Sequence, residues 1–286
     1  MVTKLTIREA LRAGAEHIAR RDDLRADATR DAQQLMEIAT GLSRVQMLAE
    51  PDRVLAEEEQ GSFFGMVAQR RGAVPVQHLR GSQEFFGRDF FVTPDVLIPR
   101  PETEGIVEEV LRLYPDRNAA LRIADVGTGS GILAITLALE YPQSQVTALD
   151  ISTSALDVAQ KNAVKLGAAD RIQFIESDLF GALDEAVIFD LIVSNPPYIP
   201  QTEAAELHPQ VRDHEPHLAL FGGHDGYEVL RRLIPDAACR LQSGSWLLLE
   251  TAGRTATLDA LLEKNWDAHY VNDLQCIERI TGAQRS

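Results

Sequence analysis

Apolar positions in the first 72 residues fall at helical spacing. Ile7, Leu11, Gly14, Ala15 and Ile18 form one stripe, and Ala28, Ala32, Leu35, Met36 and Ala39 form a second. The second ends before Gly41, a residue suited to the left-handed position just past a helix. Ser43 can cap a third segment that stops before Pro51, and Phe63, Phe64, Met66 and Val67 give a fourth its apolar face before Gly72. Short amphipathic helices bury their stripes against one another, so residues 1–74 are expected to form a small helical bundle with a docking rather than a catalytic role.

Between residues 75 and 100 the pattern changes. The paired aromatics Phe85-Phe86 and Phe90-Phe91 flank Gly87, which predicts a β-hairpin linking the bundle to the remainder of the chain. Pro101 suits the first turn of a helix whose apolar face is Ile106, Val107, Val110 and Leu111, up to Pro115. From residue 121 the apolar runs LRIADV, QVTALD, RIQFIES, DLIVSN and SWLLLE alternate with helical segments 130–140, 153–166, 227–241 and 256–265. Alternation of this kind predicts an α/β domain over 101–286, its mostly parallel sheet covered on both faces. The last runs, DAHYVND and CIERITG, have no helix between them and are expected to pair as an antiparallel edge.

Composition narrows the class. The 286 residues are 45% hydrophobic and 25% charged, ordinary values for a globular chain, and no fixed-period repeat is present. The formal charge of −15 disfavours a broad phosphate-tracking face, which needs clustered Lys and Arg. No stretch reaches the roughly 18 apolar residues of a membrane span, and the opening MVTKLTIREALRAG lacks a secretory apolar core, so a soluble cytoplasmic protein is expected. Cys239 and Cys276 lie outside any C-x-x-C and are expected to be small core residues.

The run Asp125-Val126-Gly127-Thr128-Gly129-Ser130-Gly131 follows the first sheet strand and opens a helix. Glycines let the backbone turn sharply beside a ligand, and free N–H groups at the helix start are expected to favour an anion. Dinucleotide binding calls for G-x-G-x-x-G, whereas here the spacing is G-x-G-x-G with Ile132 following, which disfavours a nicotinamide enzyme. The next strand closes on Asp150, where a carboxylate can accept from both hydroxyls of a ribose, and the third on Asp178, placed for an adenine edge. The ligand expected is a nucleoside carrying a carboxylate but no pyrophosphate. S-adenosylmethionine fits that description, with its methionine end over the glycine turn.

The fourth strand ends in Asn195-Pro196-Pro197-Tyr198, at the sheet edge where α/β folds bind ligands. A planar amide or aromatic amine is a poor nucleophile because its nitrogen lone pair is delocalised. Two acceptors gripping its N–H protons orient the group and raise electron density on nitrogen. The Asn195 side-chain oxygen and the Pro196 carbonyl can supply that pair, and proline makes the geometry rigid. Tyr198 can lie against the planar group, leaving nitrogen in line for direct displacement without a covalent enzyme intermediate.

The motifs D-V-G-T-G-S-G, Asp150, S-D-L-F at Ser177 to Phe180 and N-P-P-Y resemble class I methyltransferases of the N5-glutamine type. The upstream segment P-V-Q-H-L-R-G-S-Q-E-F-F-G-R-D-F-F-V-T-P-D-V-L-I-P-R-P-E-T-E and the downstream E-P-H-L-A-L-F-G-G-H-D-G, Glu215 to Gly226, are similar to the peptide chain release factor glutamine methyltransferase family. The resemblance covers nearly the whole chain. It implies a seven-stranded Rossmann-like sheet with an N-terminal helical bundle joined by a β-hairpin. It also implies methylation of the glutamine in the Gly-Gly-Gln motif of bacterial class I release factors, with S-adenosylmethionine as donor and S-adenosylhomocysteine as product. Carried onto this chain, Gly127, Thr128, Gly129, Ser130, Gly131, Asp150, Asp178, Leu179 and Asn195 take the cofactor, and Asn195, Pro196, Pro197 and Tyr198 take the glutamine amide. A monomer without membrane or direct nucleic-acid contact is expected.

Two departures from the family pattern stand out: Glu250-Thr251-Ala252-Gly253 in place of Glu-x-Gly, and Asp273-Leu274-Gln275-Cys276 in place of Asp-x-x-Gly. Both are expected to lie away from the amide grip. Residues 199–226 read as a long loop over a site, and its His208, His214 and His217 come without the cysteine or carboxylate spacing of a metal centre. His78 is read as structural, and the acidic clusters Glu57–Glu59 and Glu108-Glu109 as solvated helix faces. Competing activities are methylation of a ribosomal protein glutamine and methylation of adenine N6 or cytosine N4 in a nucleic acid, which uses the same grip but needs base flipping and phosphate contacts. A non-catalytic binding module is a third reading.

Overall fold

The computed structural model describes residues 4–273 and 275–286, so Leu274 of the second departure lies outside the described residues. The chain divides into two units, one running to Ser82 and taking in Leu207–His214, the other made of Gln83–Glu206 and Glu215–Ser286.

The first unit holds α1 (Ile7–Ile18), α2 (Ala28–Thr40), α3 (Arg44–Ala49), α4 (Glu57–Arg71) and α5 (Val76–Arg80). Thr6 and Ser43 each open their helix with a capping box, and Gly41 closes α2 at φ 68°. Ile7, Ile18, Leu35, Met36, Phe63 and Val67 meet in one buried cluster. A Cβ on Gly14 would fall 2.5 Å from the Phe63 ring, so glycine there lets α1 and α4 approach closely. Beneath them Arg70 and Asp31 form a buried ion pair at 2.6 Å, and Arg70 also donates to the Val74 carbonyl and to Gln210 Oε1. Those extra acceptors satisfy a guanidinium that burial would otherwise penalise.

Helix α5 takes the front of the segment expected to be a hairpin, because Pro75 starts a helical turn and Gly81, at φ 76°, ends it. The hairpin itself is β1 (Ser82–Phe85) and β2 (Arg88–Phe91), turning through Phe86 and Gly87 at φ 50° and 72°. Two positive φ values in a two-residue turn match the right-handed twist of the strands. Asn162 fastens β2 by accepting from Phe91 N and donating to the Phe91 carbonyl.

The second unit continues with α6 (Glu104–Leu113), β3 (Arg122–Val126), α7 (Ile132–Glu140), β4 (Gln145–Asp150), α8 (Thr153–Leu166), β5 (Ile172–Glu176) and β6 (Phe189–Ser194). In chain order there follow α9 (Pro209–Arg212, within the first unit), α10 (His217–Leu220), α11 (Glu228–Arg240), β7 (Leu241–Glu250), α12 (Ala256–Leu262), β8 (Trp266–Val271) and β9 (Ile280–Arg285). The seven-stranded sheet runs β5-β4-β3-β6-β7-β9-β8 and is parallel from β5 to β7. Ile123, Leu191, Val193 and Leu248 pack towards α6, α7 and α8, while Ala124, Ile192, Leu247 and Leu249 pack towards α11 and α12. Burial on both faces is why these strands read as continuous apolar runs.

Several expectations need correction. The last two strands do pair antiparallel, but β9 inserts between β7 and β8, so of these two β8 alone is an edge. Residues 199–226 are built of short turns rather than one loop, and Leu207–His214 groups with the helical unit. Both cysteines are exposed. Glu109 is buried, held by Arg112 at 2.6 Å and His269 at 2.5 Å, and Glu59 caps α4 while pairing with Arg53 at 2.7 Å. Cations from other turns draw those two carboxylates out of solvent. Among the described residues, no helix is long and apolar enough to cross a membrane.

Candidate active site

Strand order reverses at β3, whose neighbours are β4 on one side and β6 on the other. Loops leaving the carboxyl ends of such strands diverge and open a crevice. Here they enclose a cavity of about 290 Å³, walled by residues 95–97 and the turns after β3, β4, β5 and β6.

In the glycine turn, Gly127, Gly129 and Gly131 have φ of 74°, 55° and 83°. A Cβ on Gly127 or Gly129 would meet open space, so their demand is conformational. Gly131 is also required sterically, since its Cβ would lie 2.8 Å from Ile135 and 3.1 Å from Ala159. The turn is stitched to β4: the N–H groups of Gly127 and Thr128 donate to the Leu149 carbonyl, and that of Gly129 donates to Asp150 Oδ2 at 2.8 Å. Gly131 N–H donates to the Thr128 carbonyl. The N–H groups of Gly127, Thr128, Gly129 and Gly131 are thus spent inside the protein, while Ser130, Ile132 and Leu133 line the cavity at the start of α7.

The cavity lining also carries Asp95, Asp125, Asp150 and Asp178, with Arg100 and Arg232. Asp125 Oδ2 accepts from Thr128 Oγ1 at 2.6 Å and Ala134 N at 3.0 Å, while its buried Oδ1 has no partner among the described residues. Burial pushes the Asp125 carboxyl up to about 7. Asp150 Oδ1 accepts from Ser152 N at 2.9 Å, and burial raises its carboxyl as well. An unpartnered buried acceptor in an acidic cavity fits a ligand carrying an ammonium and a sulfonium, and repels a pyrophosphate. Asp178 is on the wall, but its carboxylate pairs with Arg232 at 2.7 Å; beside it Leu179 adopts φ 53°, a costly backbone for a branched residue.

Asn195, Pro196 and Pro197 reach the same cavity from the end of β6. Asn195 Nδ2 donates to Thr103 Oγ1 at 3.1 Å, and Thr103 Oγ1 donates to Glu250 Oε2 at 2.6 Å. Tyr198 is not brought to the wall as expected: its hydroxyl donates to Glu250 Oε1 at 3.2 Å, the partner a phenol on that side requires. Burial, then the Glu250 charge, pushes the Tyr198 hydroxyl up, so it stays neutral at physiological pH. Burial likewise raises the carboxyl of Glu250, which is only 2% exposed.

The segment after Pro216 locks this turn. Ile199 N–H donates to the Leu220 carbonyl and Gly222 N–H to that of Ile199. A Cβ on Gly222 would sit 2.4 Å from the Pro197 carbonyl oxygen, and one on Gly226 2.4 Å from that of Tyr198. Glu215, buried, accepts from Ile98 N at 3.0 Å and Arg100 at 2.6 Å, joining two walls of the cavity. Thr103, Glu215, Gly222, Gly226 and the role of Glu250 escape a reading of local motifs, because each acts on residues far away in sequence. Beside the departures, Thr251 directly follows Glu250, and Asp273 holds Arg279 at 2.8 Å. The three loop histidines go separate ways, His208 to Asp23, His214 to the Gly72 carbonyl and His217 edge-on to Phe221.

A family model described as the methyltransferase small domain matches residues 110–212, and one described as the PrmC N-terminal domain matches residues 9–81. The release factor glutamine methyltransferase of Koribacter versatilis is 40% identical over 277 residues, 96% of this chain and 97% of that protein. That of Geobacter sulfurreducens is 41% identical over 261 residues, 90% of each. Among solved structures, the T. thermophilus 16S rRNA N2 G1207 methyltransferase in complex with AdoMet and guanosine matches with a TM-score of 0.54 at 22% identity. The match covers 72% of this chain and 50% of that one, a likeness of fold alone.

Proposed function

The chain belongs to the release factor glutamine methyltransferase family, and from that premise we propose that it methylates the side-chain nitrogen of the glutamine in the Gly-Gly-Gln motif of class I release factors. It does so in the cytoplasm, as a monomer. S-adenosylmethionine, when bound, supplies an electrophilic methyl group on a sulfonium. Asp125, Asp150 and the glycine turn are the residues to hold it, through a buried acceptor for its ammonium and a carboxylate for its ribose. The Asp178-Leu179 turn lies where the third strand ends.

The observation that carries this reading is the orientation of Asn195. One N–H of its Nδ2 goes to Thr103, which sets the nitrogen end on that side and leaves Oδ1 to accept. With the Pro196 carbonyl it forms an acceptor pair for the two N–H protons of a primary amide, while Pro196 and Pro197 keep that backbone from relaxing. Positioning of this kind lowers the barrier without a covalent intermediate. Tyr198, neutral and held by Glu250, braces the turn from behind and takes no proton.

Asn195→Ala removes one acceptor and leaves the glycine turn in place. Turnover on a release factor is expected to fall on the order of 10²-fold, with affinity for S-adenosylmethionine by calorimetry nearly unchanged. Near-normal turnover would remove Asn195 from the mechanism.

A further inference from the structure

The Asn195 amide can present either of its ends to the cavity, and only one of them grips a donor. The choice is settled behind it by two side chains in series, each from a segment distant in sequence. Glu250 is 2% exposed at the end of β7, and its carboxylate receives two hydroxyl hydrogen bonds, from Thr103 at 2.6 Å and from Tyr198 at 3.2 Å. Thr103, 0% exposed at the entrance to α6, has a single proton, and that proton points to Glu250. Its remaining capacity towards Asn195 is therefore that of an acceptor. An acceptor there requires the Nδ2 end of the Asn195 amide, which it receives at 3.1 Å. The opposite orientation would set Oδ1 against an oxygen lone pair and turn two N–H donors towards a substrate that also brings N–H donors.

We propose that Thr103 and Glu250 are positioning residues for methyl transfer: the buried carboxylate polarises the threonine hydroxyl, and the hydroxyl holds the Asn195 amide with its oxygen towards the substrate nitrogen. The same carboxylate braces Tyr198, so one buried group fixes both ends of the Asn195–Tyr198 turn. This role rests on the reading of Asn195 as an acceptor for the substrate amide.

The test removes the hydroxyl and restores it. Thr103→Val keeps the volume, Thr103→Ala empties it, and Thr103→Ser returns a hydroxyl. The readouts are kcat and KM on a purified release factor, S-adenosylmethionine affinity by calorimetry, and melting temperature. Thr103→Val and Thr103→Ala are each expected to lower kcat by about tenfold while cofactor affinity holds, as expected for loss of a contact that preorganises the site. Thr103→Ser is expected to recover most of the loss.

The decisive comparison is made in an Asn195→Ala background, where Thr103→Val should cost nothing further in kcat, because the group it orients is gone. An equal loss in both backgrounds, or full activity in both the Val and Ala variants, overturns the positioning role. Full activity of Asn195→Ala itself overturns the reading beneath it, so the two failures are distinguishable.

Discussion

Adding a single methyl group at Gly226 tests how tightly the Asn195–Tyr198 turn is held. The Cβ of Gly226→Ala would lie 2.4 Å from the Tyr198 carbonyl oxygen. Ordinary contact starts near 3.4 Å, so backbone must move by roughly 1 Å, and it is backbone on both sides that has to give. Displacing a reacting group by about 1 Å costs on the order of 10²-fold in rate. Gly226 also has φ +81°, where a side chain adds about 1–2 kcal/mol of strain. The strain can be separated from the displacement by a control: Gly41 has φ +68° with nothing within 4 Å of its Cβ. Both variants should lose stability by thermal melting, Gly226→Ala the more because the overlap adds to the strain, yet only Gly226→Ala should lose turnover, by about 10²-fold on a release factor, with cofactor affinity little changed. Turnover of Gly226→Ala within about threefold of Gly41→Ala would refute the claim that close packing on Tyr198 sets the geometry.

Asp125 predicts a pH dependence. Its folded carboxyl, at about 7, stands above its ordinary 3.8, so the folded chain keeps a proton that the unfolded chain sheds. Apoprotein stability should therefore fall as pH rises between those values, and Asp125→Asn should flatten that fall in urea titrations. Since a ligand ammonium favours the ionised carboxylate, S-adenosylmethionine affinity should rise with pH up to about 7 and lose that slope in Asp125→Asn; a persisting slope would place the cation elsewhere. Asp31→Ala leaves Arg70 buried and unpaired, which should destabilise the helical unit by about 3–5 kcal/mol, measured by denaturant unfolding, without altering cofactor affinity. A loss below about 1 kcal/mol would mean that the pair is not buried in solution.

Sheet and glycine turn were legible because local pattern determines them. The segment 153–166 and the run Gln145 to Asp150 coincide with α8 and β4, since Ser152, Gly167 and the Asp150 turn mark their ends within the sequence itself. Segment 75–81 misled because its aromatic neighbours suggested strand while Pro75 and Gly81 bound one helical turn. Glu109 misled because an acidic pair looks solvated until His269, remote in sequence, comes to meet it. At the candidate site the Asn-Pro-Pro-Tyr run was visible in the sequence, but the residues that hold it were not. Thr103, Glu250, Gly222 and Gly226 each touch it across a long loop of chain, and no local pattern encodes such a contact.

The central claim is that one nitrogen, on one glutamine, receives the methyl group. Incubating the purified protein with labelled S-adenosylmethionine and, separately, a class I release factor, a ribosomal protein mixture and duplex DNA, then locating the label by mass spectrometry, addresses it directly. Label on the side chain of the Gly-Gly-Gln glutamine, and its absence when that residue is replaced by glutamate, is the result predicted. Label confined to DNA or to a ribosomal protein, or no label on any of them, would contradict it.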